Sequence, residues 1–372
     1  MEEMVKRLQM FDGIYRGKKV FVTGHTGFKG AWLSEWLIAL GADVTGYSDV
    51  IPPDPSLFRM LGLDHRLNHI VGDVRDASAL ADAMSSCEPD FIFHLAAQPL
   101  VRRSYLQPAE TFQVNVMGTI QVMEAIRGLR RPTVGLLVTS DKCYENRECV
   151  NGYREEDPMG GFDPYSASKG CAELAISAWR RSFFQTGSIH RIASARAGNV
   201  IGGGDWADDR IVPDCVRALL RSEEVIIRRP DAVRPWQHVL EALSGYLQLG
   251  SMLSRNPLPA SAYNFGPEIH SCKTVAELVA EVMNHWPGKW REVRDSLAPH
   301  EAGLLSLAID KAVHQLRWRP VWNFKLTVEA TVRWYRCVAR DGLDAGDCTR
   351  ADLERYCAAA HELGVEWAKV EG

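Results

Sequence analysis

The chain has 372 residues with 46% hydrophobic and 24% charged content, which suits a globular protein with a large core and two lobes. The 43 Lys and Arg residues are nearly balanced by 47 Asp and Glu residues, and no long basic run occurs, so charge gives no support to a role on nucleic acid or on a membrane surface. The 9 cysteines form no C-x-x-C pair, the first residues lack the apolar segment of a signal peptide, and no apolar run reaches roughly 18 residues; we therefore expect a cytoplasmic protein without disulfides, bound metal or a membrane span.

Strands and helices alternate along the first 200 residues. The run KKVFVTG (18–24) predicts a strand, and FKGAWLSEWLIALG (28–41) predicts a helix because its apolar residues recur about every 3.6 positions. Further strands are predicted over 42–48, 69–75, 90–96, 133–140 and 191–200, and further helices over 76–87, 108–129 and 165–185. This order predicts an α/β fold built on a doubly wound parallel sheet of Rossmann type, with a smaller C-terminal lobe.

Composition along the chain predicts three segments. Residues 1–200 are expected to form the cofactor-binding domain with the catalytic residues, and 201–340 mainly the substrate-binding lobe, which is rich in Arg, Trp, Pro and Gly. Residues 341–372 are expected to be a helical extension, since 326–339 and 351–364 are amphipathic.

The turn between the first strand and the first helix is rich in glycine, with the spacing G-x-x-G-x-x-G. Glycines let the backbone approach a pyrophosphate, and the helix N-terminus supplies unpaired N–H groups and the positive end of its dipole. A strand before this turn and a helix after it favour dinucleotide binding over a chance turn. The residues predicted to contact the cofactor here are Gly24, Thr26, Gly27, Phe28, Lys29 and Gly30.

An acidic residue at the end of the second strand indicates which dinucleotide binds. Asp49 can accept hydrogen bonds from the adenosine ribose hydroxyls and would repel a 2′-phosphate. No Arg or Lys occurs from 43 to 58, so the sequence favours NAD over NADP. The ends of the next two strands are also predicted to line the cofactor site, through Asp73, Val74, Ala96, Ala97 and Gln98.

Two polar clusters downstream suggest acid–base chemistry. Tyr165 and Lys169 are four residues apart on a predicted helix and therefore share one face. A lysine charge beside a phenol favours the phenolate and is expected to lower the tyrosine pKa. Such a tyrosine can take a proton from an alcohol while hydride leaves to NAD. Ser140, Asp141 and Lys142 follow a buried strand and are predicted to join the same site.

The ordered motifs TGHTGFKG, HLAAQPLV, NVMGT, TSDKCYEN, PYSASKG and ARAGNVIGGGDW resemble the extended short-chain dehydrogenase/reductase family. Within that family they are similar to the nucleotide-sugar 4,6-dehydratases, over about residues 15–340. The nearest resemblance is to the branch that uses CDP-glucose, and the cytidine preference rests on that resemblance alone. It implies removal of water from a nucleotide hexose with NAD as cofactor, in deoxysugar biosynthesis such as that of lipopolysaccharide O-antigen.

The resemblance also implies roles for individual residues. Tyr165 would take the C4 hydroxyl proton, Lys169 would hold the ribose, and Ser140 would hydrogen-bond the C4 oxygen. Asp141 corresponds to the acid that protonates the departing C6 hydroxyl, so it must hold a proton in order to donate one. Lys142 stands where dTDP-glucose relatives carry a Glu base; we hypothesise that it is the C5 base or a close electrostatic helper. Glu145 is a weaker rival for the base, and Asn115 and Thr139 are expected to complete the cofactor site.

The second segment is expected to hold the substrate. Arginine forks match phosphate oxygens, so several arginines could neutralise the substrate diphosphate. The residues predicted to bind substrate are Asn199, Arg210, Arg234, His238 and Glu301, with Arg229 as a further candidate.

Three alternatives to this interpretation differ in what they require of the site. A dehydratase for a dTDP or GDP sugar would use the same residues. A nucleotide-sugar 4-epimerase has no use for the Asp141 acid. A non-catalytic NAD-sensing regulator would not need the Tyr165–Lys169 pair. The resemblance also implies a homodimer or homotetramer that pairs through the helices predicted over 108–129 and 165–185.

Overall fold

The structure, a computed structural model, describes residues 10–185, 187–256, 260–293 and 303–369. The main sheet has seven parallel strands in the order β11-β6-β5-β4-β1-β2-β3. These strands are β1 (Lys19–Thr23), β2 (Asp43–Ser48), β3 (Asn68–Val71), β4 (Phe91–His94), β5 (Val134–Val138), β6 (Arg191–Ala197) and β11 (Ala262–Phe265). The predicted Rossmann-type α/β fold is therefore confirmed.

Shorter strands form three separate pairs outside the main sheet: β7 with β10, β9 with β12, and β8 with β13. Their bounds are β7 (Val200–Ile201), β8 (Val225–Ile227), β9 (Val233–Pro235), β10 (Gln237–His238), β12 (Cys272–Thr274) and β13 (Trp290–Glu292). Strand β11 joins the main sheet although it comes from the segment expected to bind substrate. The predicted domain boundaries stay a prediction.

Helices connect the strands and cover both faces of the sheet. Seven of the described α-helices come before β6 in the chain: α1 (Phe28–Ala39), α2 (Leu57–Met60), α3 (Ala77–Cys87), α4 (Val101–Leu106), α5 (Pro108–Phe112), α6 (Gly118–Gly128) and α7 (Pro164–Phe183). Those that follow are α8 (Ile211–Leu220), α9 (Val239–Arg255), α10 (Val275–His285), α11 (Asp310–Leu316), α12 (Phe324–Tyr335) and α13 (Ala345–Glu362). None of the helices in the described residues is long and apolar enough to cross a membrane.

The sequence prediction and the structure differ in two elements that border the site. The helix predicted over 108–129 is interrupted by a π-helical turn, Gln113–Met117, between α5 and α6. The strand predicted over 69–75 ends at Val71, because the chain turns there and Asp73 begins a loop capped by its own side chain. Both departures place polar residues at the C-terminal edge of the sheet, where parallel α/β folds bind ligands.

The C-terminal residues pack against the first helix. Trp367 stacks on Phe11 at 5.0 Å between ring centroids and contacts Trp36 edge-on. Buried Glu241 on α9 accepts hydrogen bonds from the Tyr356 hydroxyl at 2.8 Å and from the N–H of Trp322 at 2.6 Å. Helix α13 thus contributes side chains to the main core.

Candidate active site

One cavity of about 1410 Å³ opens along the C-terminal edge of the main sheet. It is lined by the β1–α1 turn, by the ends of β2 to β6, by α7 and by residues 198–236. Most of the residues singled out from the sequence meet in it. These are Gly24, Thr26, Gly27, Phe28, Lys29, Gly30, Asp49, Asp73, Val74, Ala96, Ala97, Gln98, Thr139, Ser140, Asp141, Lys142, Tyr165, Lys169, Asn199, Arg210 and Arg234.

The glycine-rich turn forms an open cradle for an anion. A Cβ on Gly24, whose φ is +73°, would lie 2.6 Å from the backbone nitrogen of Ala96. A Cβ on Gly30 would lie 2.1 Å from the carbonyl oxygen of Gly24, so neither position has room for a side chain. Helix α1 begins after Gly27 without a side-chain cap, which leaves its first N–H groups available to a pyrophosphate. The cradle therefore fits the dinucleotide predicted from the sequence.

The acidic residues at the ends of β2 and β3 suit an adenosine ribose that carries no 2′-phosphate. Asp49 is exposed at the cavity wall. Arg75, a cation that sequence reasoning passed over, interacts with Asp49, but a fork of hydrogen bonds at 2.5–3.0 Å commits it to Asp73. This pairing holds the pKa of Asp73 below its usual value. The local charge is thus already compensated within the protein.

Asn115 does not line the cavity. It is buried in the π-helical turn, where its side chain accepts from the N–H of Gln98 at 2.9 Å and donates to Ser168 Oγ at 2.9 Å. It therefore ties the end of β4 to α7. Asn115 supports Gln98, which lines the cavity, and a direct contact of Asn115 with the cofactor stays a prediction.

Ser140, Asp141 and Lys142 form a tight polar turn directly after β5, because Ser140 caps the 3₁₀ turn Asp141–Cys143. The hydroxyl of Ser140 donates to Oδ1 of Asp141 at 3.0 Å and accepts from the N–H of Lys142 at 3.2 Å. The Nζ of Lys142 lies 3.6 Å from the same carboxylate oxygen. Oδ2 of Asp141 is buried without a hydrogen-bond partner among the described residues, although its side chain lines the cavity. Such an orphan acceptor suggests a ligand contact.

Tyr165 and Lys169 lie on one face of α7, in contact with the cavity. Burial raises the pKa of Tyr165 to about 12, while a hydrogen bond with Ser140 and the charge of Arg210 lower it. The sequence predicted a lowered pKa for Tyr165, whereas the structure raises it. The reason is that burial disfavours the phenolate more strongly than Ser140 and Arg210 favour it. Burial also lowers the pKa of Lys169 to about 8, and the carboxylate of Glu173 opposes that shift.

One charged group near the catalytic turn was missed by sequence reasoning, and a second, Lys29, has surroundings that the sequence did not predict. Glu173, one helical turn beyond Lys169, forms a buried ion pair with Arg196 at 2.8 Å and accepts from Thr139 at 2.5 Å. Lys29, predicted to contact the cofactor, lines the cavity, and its Nζ lies 3.4 Å from the Tyr246 hydroxyl. Burial lowers the pKa of Lys29 to about 7, with further lowering by Arg210, Lys169 and Lys142. The spacing of Glu173 four residues after Lys169 was the one signal available in the sequence.

Most of the residues predicted to bind substrate lie at the cavity. Arg210 pairs with Asp205 at 2.7 Å at the cavity, Arg234 donates to the carbonyl of Val233 at 2.9 Å, and Arg229 also lines the cavity. Oδ1 of Asn199 is buried without a partner among the described residues, as expected of a group that awaits a ligand. Glu301 lies outside the described residues.

His238 is corrected by the structure, because it is buried in the core and not at the cavity. Its ring contacts Trp32 and Trp322 edge-on, and its Nδ1 accepts from the N–H of Leu240 at the start of α9. Burial lowers its pKa to about 3, so the ring is neutral. Its surroundings indicate a helix cap within an aromatic cluster.

Glu145, the weaker candidate for the C5 base, is an exposed carboxylate at the rim of the cavity. It pairs with Arg147 at 3.1 Å, as a solvated surface group does. No cluster of three or more His, Cys, Asp or Glu residues able to hold a metal occurs in residues 10–185, 187–256, 260–293 and 303–369.

Known proteins share both the sequence and the fold. Residues 21–331 match the family described as GDP-mannose 4,6 dehydratase. Over 351 residues the chain is 46% identical to CDP-glucose 4,6-dehydratase of Salmonella typhimurium, covering 93% of this chain and 98% of the relative.

Two solved structures show the same architecture. DesIV, a dTDP-glucose 4,6-dehydratase from Streptomyces venezuelae with NAD and TYD bound, superposes with a TM-score of 0.74 at 24% identity, covering 85% of this chain and 96% of that chain. The epimerase Mth375 from Methanothermobacter thermautotrophicus also has a TM-score of 0.74, at 23% identity, covering 89% and 96%. At these identities the structural likeness shows the fold alone. The family is shown by the match of residues 21–331 to the family model and by the 46% identity to the Salmonella typhimurium relative. The chain belongs to the GDP-mannose 4,6-dehydratase family, within the extended short-chain dehydrogenases/reductases.

Proposed function

We propose that the protein is an NAD-dependent nucleotide-sugar 4,6-dehydratase that converts CDP-D-glucose to CDP-4-keto-6-deoxy-D-glucose. The observation that carries this proposal is the buried carboxylate of Asp141 beside Ser140 and Tyr165 in one cavity. An epimerase needs the tyrosine but not this acid, whereas elimination of water needs both. The preference for cytidine is supported by the 46% identity to a CDP-glucose 4,6-dehydratase.

NAD, when bound, supplies a hydride acceptor for C4 and returns the hydride to C6. The β1–α1 cradle would hold its pyrophosphate, and Asp49 its adenosine ribose. The protein's own residues move the protons. Tyr165 takes the proton of the C4 hydroxyl, and Asp141 gives a proton to the C6 hydroxyl as it leaves.

Four basic side chains share this part of the cavity: Lys29, Lys142, Lys169 and Arg210. Lys29 and Lys142 act on the carboxylate of Asp141, and Arg210 acts on the phenol of Tyr165. Positive charge in this place favours the negative charge that develops on the C4 oxygen of the substrate. The diphosphate is held by Arg234 and Arg229, which reach the cavity from the second segment.

The decisive test is incubation with CDP-, dTDP-, UDP- and GDP-glucose followed by mass measurement. We expect loss of one water from CDP-glucose. Loss from another nucleotide sugar alone would overturn the assignment of cytidine, and a product of unchanged mass would indicate epimerisation.

The role of Lys142 is tested by Lys142→Ala. We propose that Lys142 is the C5 base or its electrostatic helper, and its ion pair with Asp141 supports the second role. Hydrogen exchange at C5 should then fall by about 100-fold or more if it is the base, and by less than about tenfold if it is a helper. Full dehydration by the variant would exclude both roles.

We also propose a cytoplasmic homodimer or homotetramer that serves deoxysugar biosynthesis, such as that of lipopolysaccharide O-antigen. The charge balance and the scattered cysteines support the compartment. Light scattering in solution tests the assembly, and a monomer would contradict it.

A further inference from the structure

Asp209 contacts two arginines that approach it from different walls of the cavity. Its Oδ1 accepts a hydrogen bond from Nη1 of Arg228 at 2.8 Å and lies 3.6 Å from Nη1 of Arg102. Arg102 belongs to α4, which follows β4 of the main sheet, whereas Arg228 directly follows β8 in the second segment. All three side chains line the cavity. One carboxylate oxygen therefore links the two walls of the site through ion pairs.

The guanidinium of Arg102 is poorly satisfied by this arrangement. A separation of 3.6 Å is too long for a hydrogen bond, so Asp209 compensates the charge of Arg102 without accepting from it. Nε of Arg102 is buried and has no hydrogen-bond partner among the described residues. A buried donor without a partner is unfavourable, and a guanidinium presents a fork of N–H groups that matches phosphate oxygens. Arg102 is thus better suited to a larger anion than to Asp209.

The ion pairs of Asp209 are more exposed to solvent than that of its neighbour Asp205. The side chains of Asp209, Arg102 and Arg228 are 45%, 31% and 34% exposed, and solvent weakens ion pairs of this kind. The side chain of Asp205 is only 6% exposed where it pairs with Arg210 at 2.7 Å. A competing anion can therefore displace Asp209 while Asp205 stays in place.

We propose that the substrate diphosphate displaces Asp209 from Arg102 and Arg228, so that Asp209 is an internal competitor that limits the affinity for nucleotide sugars. The inference rests on the proposed function. A diphosphate carries more negative charge than a carboxylate and has several oxygens, so it can accept from both guanidinium groups at once. Arg229, a proposed ligand of the diphosphate, adjoins Arg228 in the sequence and lines the same cavity. The diphosphate then replaces Asp209 as the link between the two walls.

The displacement is tested by calorimetric titration of Asp209→Asn with CDP, which carries the diphosphate without the hexose. Asparagine removes the negative charge and, like aspartate, tolerates the left-handed backbone of this position, where φ is +59°. We expect CDP to bind roughly tenfold more tightly than to the wild type, because the competitor is lost. Cytidine has no phosphate, so its affinity should not change. Equal or weaker binding of CDP by Asp209→Asn would overturn the displacement.

Asp208→Asn is the control for a general effect of charge on an anionic ligand. Asp208 lies in the same loop and lines the cavity, but it pairs with Arg217, at 3.6 Å, instead of Arg102 or Arg228. Its substitution should tighten CDP binding by less than about twofold. A gain as large as that of Asp209→Asn would mean that loss of any nearby negative charge is enough, and it would exclude a specific competition by Asp209.

Arg102→Gln tests the arginine side of the exchange. Loss of the guanidinium should weaken CDP binding by about 10- to 100-fold. The affinity for NADH, measured by fluorescence titration, should stay the same and also shows that the variant is folded. Weaker NADH binding with unchanged CDP binding would assign Arg102 to the cofactor and contradict the proposal.

A double variant separates competition from a structural role of Asp209. When Arg102→Gln is already present, Asp209→Asn should improve CDP binding less than it does in the wild type, because Asp209 competes for one arginine fewer. A structural role of Asp209 predicts the same effect in both backgrounds, and that result would count against the displacement.

Failure of the displacement and failure of the proposed function give different results. A wild-type protein that removes water from CDP-glucose, with no tighter CDP binding by Asp209→Asn, keeps the function and excludes the displacement. If another nucleotide sugar loses water instead, its nucleoside diphosphate replaces CDP in the titrations. A wild-type protein that removes water from no nucleotide sugar overturns the proposed function, and the displacement with it.

Discussion

At the scale of single residues, the site is organised by partners that lie under the cavity rather than in it. Glu173 is the main example. It receives hydrogen bonds from Thr139 at the end of β5 and from Ser194 on β6, and it pairs with Arg196. Arg196 in turn donates to the Tyr144 hydroxyl at 2.7 Å. One buried carboxylate thus fixes the turn that bears Ser140 and Asp141 relative to the helix that bears Tyr165.

Glu173→Gln should change how activity depends on pH. The carboxylate raises the pKa of Lys169 against burial, which lowers it to about 8. Loss of the negative charge lets burial lower that pKa further, so Lys169 becomes neutral at a lower pH. We expect the alkaline limb of kcat/KM to move to lower pH, by roughly 1 pH unit. Glu362→Gln, on the exposed end of α13, is the control and should leave the limb in place. An unmoved limb in Glu173→Gln would show that this residue does not position Lys169 through its charge.

The sequence identified the residues that meet in the cavity but not the groups that support them. Ser140, Tyr165 and Lys169 follow from motif and helical spacing, which are local signals. Arg196 and Glu173 are joined across α7 and β6, and no local pattern records such a pairing. His238 lies in a motif yet is turned into an aromatic cluster, since its orientation depends on Trp322, far along the chain.

At the scale of elements, the C-terminal helices support the loop that follows β7. Trp334 on α12 fills the space beside Gly203, where a Cβ would lie 2.0 Å from the indole. The hydroxyl of Tyr335 donates to the carbonyl of Asp205 at 2.5 Å, and the Asp205 side chain holds Arg210 at the cavity. Contacts with α12 therefore hold the loop in place at Gly203 and Asp205.

Tyr335→Phe tests this support. Loss of the buried hydrogen bond should lower the free energy of unfolding by roughly 1–2 kcal/mol. It should also raise KM for the nucleotide sugar, because Arg210 is held less firmly. Tyr263→Phe removes a comparable hydrogen bond to Gln315, at 2.8 Å, away from the cavity lining. That control should lose similar stability with unchanged KM. Equal KM values in the two variants would contradict a link between α12 and the substrate site.

The regular elements were easier to predict than the irregular ones. Helix α7 and strand β5 followed from period and composition, which are properties of the segment itself. The π-helical turn Gln113–Met117 was not predicted. It accommodates the buried Asn115, whose partners Gln98 and Ser168 lie far away in the sequence, so no local pattern indicates the turn. Pairs such as β8 with β13 were missed because strands of three residues give no periodic signal.

At the scale of the whole molecule, neutral buried histidines should make the fold sensitive to acid. Burial lowers the pKa of His25, His94 and His238 from 6.5 to about 3. Below pH 6.5 the unfolded chain binds protons that the folded chain excludes, so stability is lost as pH falls toward 3. Each histidine contributes roughly 1.4 kcal/mol per pH unit to this loss. Burial raises the pKa of Glu241 to about 7 and that of Asp352 to about 6, and these two groups offset part of the loss because the folded chain binds their protons more tightly.

Urea unfolding between pH 7.5 and 5.5 measures this loss. We expect the free energy of unfolding to fall below about pH 6.5. His238→Phe removes one titrating group from an aromatic cluster and should reduce the slope by roughly 1.4 kcal/mol per pH unit. His65→Gln changes an exposed ring and should not alter it. A wild-type stability that stays constant down to pH 5.5 would contradict the neutral burial of these rings.

The position of β11 in the sheet also bears on how the protein is made. Residues 198–261 must leave the ribosome before β11 can pair with β6. Until then β6, whose residues from 192 to 197 are all buried in the finished fold, presents an open edge of unpaired backbone groups. The growing chain thus passes through an interval in which a strand destined for the core is available to pair with other chains, and exposed strand edges of this kind favour aggregation.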